Sequence, residues 1–372
     1  MLTALAAALD GSGPAILPLD PALPAPALAR VLETLAPSSL LTAEGTTRAP
    51  GPSGPPDAVG VAEDTAVVIA TSGSTGIPKG VELTAAAMTA SATSSLRRIG
   101  ARGGERWLCC LPTFHIAGLG VLVRSLISGT DPVITAKADL KTLTASGCEF
   151  VSLVPTQLRR LLEAGGSPAL GGAGWPVVTT YGMSETCGGC VYDGVPLDGV
   201  RALPASDGRI EVSGPVLFSR YRLQPQLTAA ALAGGWFRTS DLGYVAPGGR
   251  LVIRGRADDV INTGGEKVVP GEVEAVLGTS PGVADVVVIG VPDAQWGEQV
   301  AAFVVPADPA APPDLGRLRA IVRQALSVHA APKKVFVMPV FPLLPSGKPD
   351  RAALRDSALR ELGRQLPETG AQ

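Results

Sequence analysis

The stretch that decides the fold is Thr71-Ser-Gly-Ser-Thr-Gly-Ile-Pro-Lys79-Gly80. Its glycines let backbone N–H groups approach phosphate oxygens, its hydroxyl side chains add donors, and Lys79 adds a mobile positive charge. Pro78 and Gly80 flank the lysine where a P-loop carries Gly and then Ser or Thr, so the run is not a P-loop. We expect it to follow a strand, to precede a helix and to bind phosphates. An ordinary Ser/Gly-rich hairpin loop is the alternative interpretation.

The composition favours a large folded protein. The 372 residues allow about two or three domains, and with 46% hydrophobic and 17% charged residues the chain can bury a large core. The net charge of −2 gives no reason to expect nucleic acid or an anionic membrane as a partner. No run reaches the roughly 18 apolar residues of a membrane span, and the N-terminal stretch lacks the basic region of a signal peptide. We therefore expect a cytoplasmic protein.

The cysteines do not predict a disulfide framework, because their number, five, is odd and the chain shows no signal peptide. Cys187-Gly-Gly-Cys190 has the spacing of a zinc or redox motif. No second pair completes a zinc site, so we favour the alternative, in which both are small buried residues in a tight loop.

Strands alternate with helices along the chain, which predicts an α/β domain with parallel-rich sheets. After a helical region at 1–45 and a Pro/Gly-rich connector at 46–62, strands are predicted at 66–70, 107–111, 150–154 and 176–180, and helices at 84–98, 117–128 and 155–162. A small β-rich subdomain follows at about 200–256. A compact α+β domain comes last, with a helix at 271–277, strands at 283–290, 300–305 and 334–338, and a helix at 315–326. The predicted domains are therefore 1–256 and 257–372.

Further motifs follow the first one in a fixed order. They are Tyr181-Gly-Met-Ser-Glu-Thr186, Thr239-Ser-Asp-Leu-Gly243 with Arg254-Gly-Arg-Ala-Asp-Asp259, Asn262-Thr-Gly-Gly-Glu-Lys267, and Pro345-Ser-Gly-Lys-Pro-Asp-Arg351. With the first loop they span residues 64–351. In order and spacing this set resembles the adenylate-forming superfamily of acyl-CoA synthetases, luciferases and peptide-synthetase adenylation domains.

The resemblance implies ATP, Mg²⁺ and CoA as co-substrates and ion. By it, Tyr181 would stack on adenine, Thr186 would lie near the α-phosphate, and Asp241 would accept from the ribose hydroxyls. Glu185 would hold Mg²⁺, since a hard cation bridging phosphates prefers carboxylate oxygens. The full set implied for ATP or AMP is Thr71, Ser72, Gly73, Ser74, Thr75, Gly76, Lys79, Tyr181, Gly182, Thr186, Asp241 and Arg256.

The same resemblance makes the C-terminal domain a mobile one. Asp258 falls where the family has its hinge, and Gly264 and Gly265 fall in the loop that forms the pantetheine tunnel for CoA. Lys348 matches the catalytic lysine, whose charge would offset the growing negative charge at the carboxylate and α-phosphate. Lys267 receives no role. Because the family is often dimeric, a homodimer is a further expectation.

The acid is suggested by Leu111-Pro-Thr-Phe-His-Ile-Ala-Gly-Leu119 and by residues 181–199, which resemble the compact bacterial 2-succinylbenzoate–CoA ligases of menaquinone synthesis. His115 would then be a catalytic residue facing the acyl site; a helix-entry histidine that packs or caps is the alternative. The acyl pocket implied comprises His115, Gly182, Met183, Cys187 and Gly188. Arg124 and Arg159 are candidates for binding the second carboxylate.

The implied reaction has two steps: the acid attacks the α-phosphate of ATP to give an acyl-adenylate and pyrophosphate, and the CoA thiol then displaces AMP. One stretch departs from the family pattern, because residues 163–175 are too short for the expected strand and helix. Gly171-Gly-Ala173 would be the remnant of the adenine-contacting turn. The alternatives left open are another aryl or medium-chain acid–CoA ligase, a carrier-loading adenylation domain, and a non-catalytic nucleotide-binding relative.

Overall fold

The computed structural model describes residues 1–49, 60–72, 78–166, 176–344 and 348–365. In these ranges the helices are α1 Leu2–Leu9, α2 Ala25–Leu35, α3 Ala85–Arg98, α4 Ile116–Ser128, α5 Leu140–Ala145, α6 Pro155–Glu163, α7 Pro225–Ala231, α8 Pro270–Gly278, α9 Leu315–Ala325 and α10 Arg351–Gln365. Short 3-10 turns lie at Ser184–Thr186 and Ala257–Asp259.

The strands of the first part of the chain are β1 Ser39–Thr42, β2 Gly45–Arg48, β3 Thr65–Ser72, β4 Pro78–Thr84, β5 Trp107–Cys109, β6 Val133–Ile134, β7 Phe150–Val151, β8 Thr180–Met183, β9 Gly188–Tyr192 and β10 Val195–Pro196. Those that follow are β11 Arg201–Pro204, β12 Arg209–Ser213, β13 Arg220–Tyr221, β14 Leu232–Ala233, β15 Trp236–Val245, β16 Leu251–Arg256, β17 Ile261–Thr263, β18 Glu266–Val268, β19 Val283–Asp293, β20 Gly297–Pro306 and β21 Lys334–Val337.

The chain divides into two compact units. The first comprises Met1–Leu203, Glu211–Thr239 and Ala246–Leu251, and the second comprises Pro204–Ile210, Ser240–Val245 and Val252–Gln372. The sheets have the orders β10-β9-β8, β13-β4-β3, β6-β5-β7, and β11-β12-β15-β14 with β16 on β15. The mixed α/β class predicted from the sequence is confirmed, whereas the predicted boundary between residues 256 and 257 stays a prediction.

The core of the first unit forms around the hairpin of β3 and β4. Successive side chains of a strand point to opposite faces, so Val67 and Ile69 of β3 meet Val81 and Leu83 of β4 in one buried cluster. Helices α1, α3 and α4 contribute to the same cluster. Thr84 caps α3, its hydroxyl accepting from the backbone N–H of Ala87 over 3.0 Å. The predicted strand at 66–70 and helix at 84–98 are confirmed.

Two expectations for the first unit were wrong. Residues 1–45 are not helical throughout, because β1 and β2 form an antiparallel hairpin with Thr42 opposite Gly45. Gly45 takes a φ of +125° there, which glycine adopts readily. The phosphate-binding run is not followed directly by a helix, because β4 lies between it and α3.

The predicted strand at 176–180 is also wrong in extent, since β8 begins only at Thr180. An extended segment becomes a strand only where its backbone groups pair with a neighbour. Within the described residues no strand pairs with 176–178, and Val177 and Val178 are 44% and 39% exposed. The predicted loss of a strand beside this segment is consistent with that exposure. The remnant turn Gly171–Ala173 lies outside the described residues.

A buried ion-pair network fixes β13 against β4, whose register places Arg220 opposite Glu82. The Glu82 side chain is 1% exposed and accepts from Arg220 Nε over 2.8 Å and from Arg222 Nη1 over 3.3 Å. Arg222 also donates to the carbonyl oxygens of Leu35 and Ala36 at the end of α2. One carboxylate therefore joins α2, β4 and β13.

The second unit has its own sheet, in the order β18-β17-β20-β19 with β21 parallel to β20. Alternate side chains of β19 enter different clusters, with Val286 and Val288 on one face and Val287 and Ile289 on the other. Helices α8 and α9 cover the first face and α10 covers the second. Helix α10 was not predicted, because its apolar contribution is little more than Leu354 and Ala358 in a polar sequence.

We predict that Glu82→Gln destabilises the protein by about 3 kcal/mol, the size typical of breaking a buried ion pair on one side. Glutamine keeps the shape but removes the charge that balances Arg222, which is 6% exposed. Urea unfolding measures the loss. Glu211→Gln is the matched control, because its partner Arg238 lies 3.4 Å away on an exposed surface and such pairs contribute about 0–1 kcal/mol. Equal losses in the two variants would contradict the role of Glu82.

Candidate active site

The two ends of the predicted phosphate-binding run lie in β3 and β4, which pair with each other. Thr71 pairs with Lys79 and Ser72 with Pro78, so the two ends of the run are fixed to each other. The Thr71 hydroxyl donates to the carbonyl oxygen of Lys79 over 3.4 Å. The rest of the predicted phosphate contacts lie outside the described residues and stay predictions: Gly73, Ser74, Thr75 and Gly76.

The 3-10 turn Ser184–Thr186 presents Glu185. The Thr186 hydroxyl is buried, accepts from the backbone N–H of Met183 over 2.9 Å and lies 2.7 Å from the carbonyl oxygen of Gly188. A Cβ on Gly182 would lie 1.9 Å from that same carbonyl oxygen, so only glycine fits there. Thr186 therefore holds the turn, and its predicted position near the α-phosphate stays a prediction.

Glu185 and Lys79 both contact Tyr221, a residue that sequence reasoning missed. The Tyr221 hydroxyl donates to Glu185 Oε1 over 2.8 Å. Lys79 Nζ lies 5.7 Å from the centroid of the Tyr221 ring, within the range of a cation–π contact. Burial, followed by the neighbouring Glu185, raises the pKa of the Tyr221 phenol, so it remains a donor at neutral pH. The first unit thus brings together the predicted metal-binding carboxylate and the predicted phosphate-binding ammonium around one aromatic ring.

The residues expected at adenosine lie in both units. Tyr181 is partly buried on β8 of the first unit, where it pairs with Val191 of β9. In the second unit Arg256 Nη1 lies 4.0 Å from Asp241 Oδ1, and Arg256 Nη2 lies 3.2 Å from Asp258 Oδ2. The structure therefore brings the predicted ribose carboxylate Asp241 together with Arg256, which is in the predicted ATP or AMP set, beside the predicted hinge residue Asp258.

Gly264 and Gly265 form the tight turn between β17 and β18. Both have positive φ, +61° and +86°, and the flanking Thr263 and Glu266 pair with each other. Such a two-residue hairpin favours glycine. The Gly264 N–H donates to the carbonyl oxygen of Trp296 over 2.9 Å, and a Cβ on Gly264 would lie 2.4 Å from the indole ring. Close packing against Trp296 therefore also requires glycine at 264.

Lys348 is exposed in the second unit. Its carbonyl oxygen accepts from the backbone N–H of Leu344 over 2.8 Å, which closes a short loop. Arg351, at the start of α10, donates to the carbonyl oxygen of Val288 over 2.7 Å and ties the end of that loop to β19. The backbone around the predicted catalytic lysine is thus anchored on both sides while the side chain remains accessible.

His115 occupies the N-cap position of α4 without using its side chain as a cap. Its ring packs against Phe114, with ring centroids 4.6 Å apart. Gly188 approaches the first turn of α4, where a Cβ on it would lie 3.9 Å from Ile116 Cγ1. Met183 packs against the core of the first unit. His115, Gly182 and Gly188 therefore lie near the same helix start, and their assignment to an acyl pocket stays a prediction.

Cys187 and Cys190 are free and buried, which agrees with the interpretation as packing residues. Cys187 belongs to the core cluster of the first unit, and its carbonyl oxygen accepts from Ser91 Oγ over 3.2 Å. Burial raises the pKa of both thiols, that of Cys190 to about 11. Neither thiol is therefore suited to nucleophilic or redox chemistry at neutral pH.

Arg124 on α4 is enclosed by Trp107 and Ser152. Its guanidinium lies 4.4 Å from the Trp107 ring centroid, and Nη2 donates to Ser152 Oγ over 2.9 Å. Gly120, one turn earlier, leaves room beside it. Among the described residues no carboxylate pairs with Arg124, and its Nε is buried without a hydrogen bond. Burial lowers the pKa of this guanidinium, so binding an anion here would be favourable. Arg159, the other candidate, is partly buried on α6.

The donors present fit Mg²⁺ bound together with a nucleotide. In the described ranges no group of three or more His, Cys, Asp or Glu side chains could hold a metal by itself. Mg²⁺ in nucleotide sites is commonly held by one or two carboxylates plus phosphate oxygens. Glu185 suits this role, because Tyr221 donates to its Oε1 and no described residue donates to its Oε2.

None of the described helices is long and apolar enough to cross a membrane.

Comparison with known proteins gives a consistent result. The AMP-binding enzyme family matches residues 49–174, and the AMP-binding enzyme C-terminal domain matches residues 272–348. A probable 2-succinylbenzoate–CoA ligase of Mycobacterium tuberculosis is 45% identical over 325 residues, covering 78% of this chain and 84% of that protein. The 2-succinylbenzoate–CoA ligase of Bacillus subtilis is 33% identical over 343 residues, covering 80% and 70%.

Solved structures agree with these relatives. The o-succinylbenzoate CoA synthetase of Bacillus subtilis, in complex with its acyl-adenylate intermediate, has a TM-score of 0.68 at 32% identity, covering 78% of this chain and 69% of that one. The amide bond synthetase of Marinactinospora thermotolerans has a TM-score of 0.70 at 28% identity, covering 80% and 70%. The chain belongs to the AMP-binding enzyme family, the adenylate-forming superfamily that its motifs resemble.

Proposed function

We propose that this protein is an ATP-dependent, AMP-forming acid–CoA ligase that converts 2-succinylbenzoate to 2-succinylbenzoyl-CoA for menaquinone synthesis. The observation that carries the proposal is the arrangement around Tyr221, which holds Glu185 on its hydroxyl and Lys79 on its ring. A carboxylate for Mg²⁺ and an ammonium for phosphates are what the first half-reaction requires. Relatives named for this acid support the choice of substrate.

In this proposal the protein contributes binding, charge and orientation. Lys79 and the loop before it bind the outer phosphates, and Asp241 beside Arg256 binds the ribose. Mg²⁺ held by Glu185 would neutralise phosphate charge. The acid carboxylate attacks the α-phosphate, pyrophosphate leaves, and Lys348 offsets the negative charge that develops. In the second step the CoA thiol attacks the acyl carbonyl and AMP leaves.

The enclosed guanidinium of Arg124 supports a diacid as the substrate. 2-Succinylbenzoate carries one carboxylate to activate and a second that needs a cationic partner. Arg124 lacks a counter-anion within the described residues and has an unused N–H at Nε. A bound carboxylate would supply the missing charge and accept that N–H. A substrate with a single carboxylate would leave the guanidinium unbalanced.

We also propose that the C-terminal domain is mobile and moves between the two half-reactions. We place the domain boundary between residues 256 and 257, with Asp258 as the hinge and Gly264 and Gly265 in the CoA tunnel. The proposed function also places the protein in the cytoplasm, where ATP and CoA are supplied, and a homodimer remains our expectation.

ATP–pyrophosphate exchange over a panel of acids tests the proposal. Exchange with 2-succinylbenzoate well above that with other acids is the expected result. Exchange with aryl or medium-chain acids but not with 2-succinylbenzoate would overturn the substrate. ATP binding without exchange for any acid would identify a non-catalytic nucleotide-binding relative.

We predict that Lys348→Ala lowers adenylation by about 100-fold or more, the usual effect of removing a group that stabilises developing charge. Thiolation of a preformed acyl-adenylate should change little, because the lysine acts before AMP leaves. Single-turnover assays of each half-reaction measure the two rates. Lys137→Ala, at another exposed lysine, is the control. Equal losses in both half-reactions would refute this role for Lys348.

We predict that Arg124→Gln raises the KM for 2-succinylbenzoate by about tenfold or more, as expected for losing a hydrogen bond between charged groups. The KM for ATP should stay within about twofold, because Arg124 is not assigned to the nucleotide. Initial rates with 2-succinylbenzoate and with benzoate, which lacks the second carboxylate, measure the effect. Arg160→Gln, at an exposed arginine of α6, is the matched control. The same loss for both acids would exclude recognition of the second carboxylate.

A further inference from the structure

Tyr221 is held by β4, with which β13 pairs, and by Thr228 of α7. Its neighbours Arg220 and Arg222 point to the buried Glu82, so alternation along β13 directs the Tyr221 side chain the opposite way. Its backbone N–H donates to the hydroxyl of Thr228 over 2.9 Å. The direction of the phenol ring is therefore set by the register of β13 on β4.

The Tyr221 ring packs against the core and also contacts the two charged residues Glu185 and Lys79. Tyr221 is 5% exposed and packs against Phe218, with centroids 4.8 Å apart. Phe218 in turn donates its backbone N–H to the carbonyl oxygen of Glu185 over 2.9 Å. Glu185 is thus bound to the β13 segment twice, through its backbone and through its carboxylate.

Lys79 and Glu185 carry opposite charges and approach the same ring, yet they form no ion pair with each other in the described structure. A direct pair would occupy the carboxylate needed for a cation and the ammonium needed for phosphate. The Tyr221 ring makes a cation–π contact with Lys79, and its hydroxyl donates a hydrogen bond to Glu185 Oε1. Each charged group therefore has a partner on Tyr221.

We propose that Tyr221 is a positioning residue that aims Glu185 at the nucleotide-bound cation and holds Lys79 apart from it. The inference rests on the proposed function, because it concerns how the same site binds MgATP. The two parts of the side chain have separable tasks. The hydroxyl orients the carboxylate, and the ring holds the ammonium.

The test compares Tyr221→Phe with Tyr221→Leu by calorimetric titration of ATP, once with Mg²⁺ and once with EDTA. The measured quantity is the ratio of the two dissociation constants, which is the gain in ATP affinity that Mg²⁺ brings. Phenylalanine keeps the ring, so the EDTA value should stay within about twofold while the gain falls about tenfold, the size of one lost hydrogen bond to a charged group. Leucine also removes the ring, so ATP binding in EDTA should weaken as well.

Two controls separate positioning from general stability. Tyr244→Phe removes an exposed phenol hydroxyl in the second unit, and Phe303→Leu loosens the core of the second unit without touching Tyr221 or Glu185. Neither should change the ratio, although Phe303→Leu should lower the temperature of unfolding. An unchanged ratio in Tyr221→Phe would overturn the inference, as would equal weakening of ATP binding with Mg²⁺ and with EDTA. If the unaltered protein binds no ATP under either condition, the proposed function fails, and the inference fails with it.

Discussion

The buried carboxylate of Glu82 is the constraint on which the first unit depends. A charge that is 1% exposed is tolerated only because Arg220 and Arg222 both donate to it. These two bonds hold β13 in one register on β4. Gly80 permits the close approach of Arg222, since a Cβ on it would lie 3.1 Å from Arg222 Cβ. The register then sets the direction of the residue between the two arginines. This buried ion pair thus fixes the position of Tyr221, which contacts both Lys79 and Glu185.

Sequence patterns predicted the elements whose signals are local. A continuous apolar run at 66–70 predicted β3, and the cap at Thr84 marks the start of α3. The motif residues Glu185, Asp241 and Lys348 could be found because their neighbours in sequence are distinctive. Tyr221 could not, because its contact with Glu185 joins residues 36 apart and depends on a strand of only two residues. The signal in retrospect is an aromatic residue between two arginines, Arg220 and Arg222, which face one buried acid.

Within the described residues, the segment 176–178, which follows the shortened stretch at 163–175, has no strand beside it. Val177 and Val178 are exposed where a neighbouring strand was expected, and the predicted adenine turn lies outside the described residues. The Thr179 N–H and hydroxyl both donate to Asp193 Oδ1 over 2.8 Å. These bonds join the residue before β8 to the residue after β9, so the segment that carries Glu185 is closed at its base. Lys79 and Glu185, the residues proposed to bind phosphate and a cation, both contact Tyr221 of β13.

The proposed reaction joins 2-succinylbenzoate to CoA and cleaves ATP to AMP and pyrophosphate. The most direct test is to incubate the purified protein with 2-succinylbenzoate, ATP, Mg²⁺ and CoA and to quantify the products by liquid chromatography and mass spectrometry. We expect 2-succinylbenzoyl-CoA and AMP in equal amounts, with no ADP, and no thioester when the acid is omitted. Release of AMP without thioester, formation of ADP, or no turnover at all would contradict this proposal.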